Sequence, residues 1–213
     1  HHAGLSDRGR VGQGSWAGAF EAGVLRGLGA VAWNGVMSVQ APGCVEEVVS
    51  ALLATSPRSI RGVLGPADQV ALARSALRLD GGAAAVDRVE RLYRLELSEL
   101  RVPAALLAGR LRCRLPDEVH RETLVEWGVA YDVETLGARA GAALWESNRA
   151  SLARSLARES QWLLEAGTVP VAMSAFTSSV PDCVQIGGVY TPPPLRGRGY
   201  GRAVVAGSLI DAR

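Results

Sequence analysis

Between Cys183 and Ile210 the chain runs from an apolar stretch, Cys183 to Thr191, through Pro192-Pro193-Pro194 into Arg196-Gly197-Arg198-Gly199-Tyr200-Gly201. It then enters a segment carrying Val204, Val205, Leu209 and Ile210 at helical spacing. No other passage limits the fold as much, because strand, glycine loop and helix in that order belong to a layered arrangement of helices on a sheet. The prolines end the strand. The glycines let the backbone turn with its N–H groups converging, and a helix start adds unpaired donors and the positive end of a dipole, so an anion such as pyrophosphate is stabilised there. Arg196, Arg198 and Arg202 add charge at the same place.

The rest of the chain alternates strands and helices. Trp16 to Phe20 and Val24 to Trp33 read as strands about the turn Glu21-Ala22-Gly23, and Asn34-Gly35 predicts a type I′ hairpin into Val36 to Gln40. Val45, Val48, Val49, Leu52 and Leu53 predict a helix, Ile60 to Leu64 a short strand, and Pro66 to Leu79 a second helix. Alternation over Leu92 to Leu97 fits a strand closing this unit, with a boundary at Val102-Pro103. Beyond it come a strand at Arg110 to Leu115, and a helix starting at Pro116-Asp117 that carries His120, Leu124, Trp127 and Tyr131 on one side. A helix from Ala142 to Arg158 and strands at Gln161 to Leu164, Val169 to Thr177 and Cys183 to Thr191 complete the second unit.

The triplet Glu-Ala-Gly occurs at 21–23 and again at 165–167, each time between two strands and followed by a third strand and a helix. That order predicts two copies of one architecture. The expectation is an α/β (α+β) protein of two lobes, 1–102 and 103–213, each a mixed, largely antiparallel sheet flanked by helices.

With Arg196, Gly199 and Gly201 meeting the pattern [Q/R]-x-x-G-x-[G/A] inside strand, loop and helix, the second lobe resembles the GNAT superfamily of N-acetyltransferases. The resemblance covers Arg110 to Arg213. It implies that Arg196, Gly197, Arg198, Gly199, Tyr200, Gly201 and Arg202 surround the pyrophosphate of acetyl-CoA. It also implies that a bulged strand offers backbone groups of Val189, Tyr190 and Thr191 to the pantetheine arm. The reaction it implies is acetyl transfer to an amine of a small molecule or protein. A non-catalytic acyl-CoA-binding or scaffold protein of the same fold is the alternative. Family members continue past the signature helix with a strand, a helix that often supplies a Tyr acid, and closing strands, so the second lobe is expected to be incomplete at Arg213. In the first lobe the loop position is Gln40-Ala41-Pro42-Gly43-Cys44-Val45, without the Arg/Gln and spaced glycines, and a degenerate lobe that binds no CoA is expected. The family also allows a homodimer.

Transfer to an amine needs a base for the ammonium and an acid for the thiolate. Gln185, Tyr131, Glu134 and Glu146 are the polar residues that the resemblance places near the acceptor, and none is singled out. His120, alone on an apolar helix face, reads as a core histidine, and Trp127, Trp145 and Trp162 read as core packing. A dinucleotide loop of the GxGxxG kind fails on glycine spacing and on the antiparallel strands before it. All 23 basic residues are Arg, which points to a GC-rich, bacterial type of genome and makes single arginines weak evidence. The net charge of +2 gives no reason to expect nucleic acid or an anionic membrane as partner. Cys44, Cys113 and Cys183 are expected as buried free thiols, no metal site is expected, and the chain reads as cytoplasmic.

Overall fold

The computed structural model describes residues 7–84 and 86–212. It divides into two compact units, His1–Leu92 and Tyr93–Arg213.

The first unit contains β1 (Gly14–Glu21), β2 (Val24–Ala32), β3 (Val36–Gln40), α1 (Val45–Thr55), β4 (Gly62–Leu64) and α2 (Ala67–Ala76). Its sheet has the order β1-β2-β3-β4, antiparallel except for the parallel pair β3–β4, which α1 connects. Val45, Val48, Val49 and Leu52 lie at i, i+3, i+4 and i+7 on α1, are at most 3% exposed, and pack with Val31, Met37 and Val39. Burial of each such side chain contributes about 1.5–3 kcal/mol.

Asn34-Gly35 does turn the chain, but not as a type I′ pair. Gly35 donates to the Ala32 carbonyl and takes φ +80°, whereas Asn34 is not among the positive-φ residues; its Oδ1 instead accepts from the Val36 N–H. A three-residue loop with one left-handed glycine results.

The second unit contains a 3-10 turn (Leu97–Glu99), α3 (Ala104–Leu107) and β5 (Leu111–Arg114), followed by α4 (Arg121–Leu136) and α5 (Ala142–Ala157). After these come β6 (Gln161–Ala166), β7 (Val169–Val180), β8 (Cys183–Tyr190) and α6 (Tyr200–Asp211). Its sheet, β5-β6-β7-β8, is antiparallel throughout. Leu163, Met173 and Tyr190 face α4 and α5, packing with Leu124, Val125 and Leu152. Trp162, Leu164 and Ala172 face α6, packing with Ala203 and Val204. Trp127 and Trp145 join the first of these clusters, so all three tryptophans pack in the core.

The two hairpins repeat in a register that the Glu-Ala-Gly triplets do not. β1 and β2 join through Ala22-Gly23, β6 and β7 through Gly167-Thr168, an offset of 167 − 22 = 145 where the triplets are 144 apart. In each hairpin the third residue after the turn, Arg26 or Val171, is an unpaired bulge.

Two further sequence expectations fail. Leu92 to Leu97 forms no strand and pairs with none among the described residues: Leu92, Tyr93 and Leu95 are 89%, 82% and 48% exposed. Alternation alone cannot create a strand without a neighbour to pair with. Cys183, at the start of β8, is exposed, while Cys44 and Cys113 are partly buried.

Candidate functional site

The site is built on the end of β8. Met173 pairs with Tyr190 and Ala175 with Gly187, so Gly188 and Val189 together oppose Ser174, and Gly188 takes φ +57°. This is a bulge of the kind that needs a left-handed glycine. Beyond it Val189 packs toward α6 and Tyr190 toward α4, with the Tyr190 ring 6.3 Å from that of Trp127 and the residue 7% exposed. The Tyr190 side chain is therefore part of the core. β8 is the last strand of its sheet, and among the described residues nothing pairs with its outer edge. In the first unit β4 takes the corresponding edge of β3, along Val36 to Ser38.

After Thr191 a short 3-10 turn over Pro193–Leu195 leads into the glycine loop. Gly197 and Gly199 take φ +76° and +79°, and a Cβ at either would meet nothing within 4 Å, so it is backbone conformation rather than crowding that selects glycine. Gly199 is the N-cap of α6, and its carbonyl accepts from the Ala203 N–H at 3.0 Å. No side chain caps this helix, and the N–H groups of Tyr200, Gly201 and Arg202 have no acceptor within it. A converging set of donors with the positive helix end behind it suits a phosphate-type anion. α6 seats closely on the sheet because Gly207 lies against Cys113. Burial pushes the Cys113 thiol up to about 12, with Asp211 adding to the rise, so it stays protonated and inert.

The three expected arginines have different fates. Arg196 is engaged inside the protein: its Nε donates to the Thr191 carbonyl at 2.9 Å, a terminal nitrogen donates to Glu134 of α4 at 2.7 Å, and its guanidinium lies 5.7 Å from the Tyr190 ring centre. It ties the loop to α4. The hydrogen bond from Arg196 holds the Glu134 carboxyl below its ordinary value, and Glu134 raises Arg196 in turn. Among the described residues Arg198 reaches only the Pro194 carbonyl, at 3.5 Å, and Arg202 is exposed.

Of the four polar candidates, Glu134 is the one brought to the loop. Tyr131 packs in the cluster between α4, α5 and the sheet, Glu146 is exposed on α5, and Gln185 is exposed where β8 pairs with Ser178. His120 lies in a separate polar network at the start of α4. Its Nδ1 accepts from the Asp117 N–H at 3.2 Å, and its Nε2 is 3.5 Å from Glu165. Arg114 grips Glu165 through two hydrogen bonds, 2.8 and 2.9 Å, and reaches Asp117 at 2.7 Å. Sequence reading missed this network because its members are distant in the chain. The one available signal was Asp117 three positions before His120, a capping-box spacing.

The first unit's loop is different in kind. Only residues 41–44 separate β3 from α1, and the Ala41 N–H is taken by the buried Gln69 Oε1 at 2.7 Å. Among the described residues no group of three His, Cys, Asp or Glu could hold a metal ion, and no helix is long and apolar enough to cross a membrane.

No family model and no curated protein matches the chain. Solved structures do. A predicted acetyltransferase from Clostridium acetobutylicum, with acetyl-CoA, is similar over 48% of this chain and 73% of its own, at 18% identity and TM-score 0.38. A GCN5-related N-acetyltransferase from Ralstonia eutropha JMP134 is similar over 47% of this chain and 74% of its own, at 23% identity and TM-score 0.36. A GNAT-family acetyltransferase from Colwellia psychrerythraea is similar over 93% of this chain and 71% of its own, at 12% identity and TM-score 0.46.

Proposed function

We propose that the second unit is an acetyl-CoA-binding GNAT lobe and that the chain transfers an acetyl group from acetyl-CoA to an amine, of a small molecule or a protein. The observation that carries this reading is the continuity of three features: the bulge at Gly188, the left-handed glycines 197 and 199, and the uncapped start of α6. Val189 and Tyr190 end a strand whose outer edge is unpaired, with Thr191 directly after them, where an extended amide-bearing arm can pair with backbone groups. The N–H groups from Gly197 to Arg202 then face a pyrophosphate, with Arg198 and Arg202 supplying charge and Arg196 holding the loop in position through Glu134. Bound acetyl-CoA would supply the acetyl group as an activated thioester. The division of labour gives unit 1 no such site, because its loop is short and its strand edge is closed.

A second reading, acyl-CoA binding without turnover, is favoured by the state of Glu134. A carboxylate held below its ordinary range by an arginine is a weak base near neutral pH. Thiol release from acetyl-CoA, followed across a panel of primary amines and lysine peptides, tests the main reading. Release with at least one acceptor supports it. Calorimetric binding with no release for any acceptor selects the second reading, and no binding removes both.

A further inference from the structure

The two faces of the first unit's sheet meet different surroundings. Ala17 and Ala19 of β1 point with Val31, Met37 and Val39 toward α1, and α2 packs on the same side through Ala73. Trp16, Gly18 and Phe20 of β1 alternate with those alanines and face the other way, with Leu25 and Leu28 of β2 opposite them. Phe20 and Leu25 close over Gly18, where a Cβ would meet the Leu25 side chain at 2.9 Å and the Phe20 ring at 3.1 Å. Ser38 and Gln40 of β3 continue this face, and none of these residues is charged, whereas the open face of an antiparallel sheet is ordinarily polar. Among the described residues no helix of the unit covers it.

In the second unit the equivalent face is buried. Leu163 and Met173 stand 145 positions after Gly18 and Leu28, the offset of the two hairpin turns, and are cross-strand partners as those are. Tyr190 pairs with Met173 as Gln40 pairs with Leu28. Leu163, Met173 and Tyr190 are at most 7% exposed, beneath α4 and α5. β5 also occupies the outer edge of β6, while the outer edge of β1, its equivalent, is unpaired among the described residues. One continuous segment directly ahead of β6 thus closes both the edge and the face.

We propose that a segment of the same order, strand, helix and helix, precedes Asp7 in the natural polypeptide, its strand pairing with the outer edge of β1 and its helices covering Trp16, Phe20, Leu25 and Leu28. The 13 residues before Gly14 are fewer than one 16-residue helix such as α4 or α5 needs. Asp7 is fastened to the unit by Arg58, whose Nε donates at 2.6 Å, and by the Ser15 hydroxyl at 2.8 Å, so the chain enters β1 from a fixed point. A second copy is the weaker occupant. Exposures of 37–68% on the four apolar side chains leave roughly 400 Å² of surface, at about 200 Å² for each. Two such faces together would bury about 800 Å², short of the ~1,000 Å² that a stable interface needs.

The reading frame upstream of His1 and one substitution made in two chains test this. In the product of the complete reading frame, Leu28→Asp should lower the urea midpoint by about 1 M, because it buries an unpaired charge. In the 213-residue chain the same substitution should leave the midpoint unchanged, because Leu28 is partly exposed there. A reading frame that adds too few residues ahead of His1 for two 16-residue helices overturns the proposal. An equal effect of Leu28→Asp in the two chains, whether none or a loss, also overturns it. So does a 213-residue chain that sediments as a dimer and becomes a monomer on Leu28→Asp, since a second copy then holds the face.

Discussion

Arg196 and Glu134 are joined at 2.7 Å across a gap of 62 positions in sequence, the loop on one side and α4 on the other. The residue that opens the signature therefore works as a clip rather than as a free cation. Both side chains are nearly half exposed, at 44% and 48%, so their attraction is screened by water and contributes little to global stability. Its effect is expected on the order of the loop. Glu134→Gln should leave the melting temperature within about 2 °C of wild type and weaken CoA binding by at most about fivefold. Acid should act in the same direction: Arg196 depresses the Glu134 carboxyl, so the clip is fully present above the ordinary carboxylate pKa and is lost as pH falls through the depressed value. CoA affinity of the wild type relative to the variant should therefore hold from pH 7 down through the ordinary carboxylate range and converge on that of the variant only below it, and a variant with unchanged affinity and unchanged pH profile would show that the clip does not serve binding.

Gly199→Asp separates binding from folding. Asp tolerates the left-handed conformation better than most residues, a carboxylate near a helix start is favourable, and nothing within 4 Å obstructs a Cβ there. The variant should therefore keep near-native thermal stability while losing CoA binding by more than about a hundredfold, because the carboxylate occupies and repels the anion position. Gly201→Asp, one turn position on, should do the same. Retained calorimetric affinity in both would remove the loop from the site.

Much of this was legible in the sequence. The strand, glycine loop and helix from Cys183 to Asp211 stand where the glycines and the apolar spacing put them, because each feature there depends on local chemistry: prolines ending a strand, glycines at positive φ, branched residues on one helix face. What was not legible depends on distant partners. The role of Arg196 is set by Glu134, that of His120 by Glu165, and the absence of a strand at Leu92 to Leu97 by the lack of a pairing strand among the described residues. The hairpin repeat was found through the wrong register, since the bulges at Arg26 and Val171, not the matching triplets, mark equivalent positions.

Close packing of α6 on β5 rests on one glycine. A Cβ at Gly207 would overlap the Cys113 Cβ, which is fixed to the backbone and cannot turn away, and would stand 2.7 Å from its sulfur. Gly207→Ala should cost about 1–3 kcal/mol, the usual range for overpacking, read as a lower urea midpoint with unchanged slope. Cys113→Gly in the same chain should restore part of the loss, whereas Cys113→Ala, which keeps the obstructing Cβ, should not. Equal rescue by the two would mean that the sulfur alone crowds the helix.

The last prediction concerns the network at the start of α4, which the proposed reaction does not use. Glu165 is almost wholly buried, and the Arg114 hydrogen bonds, with smaller contributions from the charges of Arg114, His120 and Arg112, hold its carboxyl below the ordinary value. A depressed carboxyl stabilises the fold above its unfolded pKa, about 4.3, and this stability is lost as pH falls through the folded value. Protonation leaves Arg114, its guanidinium also mostly buried, with Asp117 as its remaining carboxylate. Glu165→Gln should thus lower the urea midpoint at pH 7 and narrow the difference between pH 7 and pH 3, while CoA affinity at pH 7 stays within about twofold because Glu165 pairs with Pro170 near the β6–β7 turn and the loop follows Tyr190. A variant that loses CoA affinity without losing stability would instead connect this network to the ligand site.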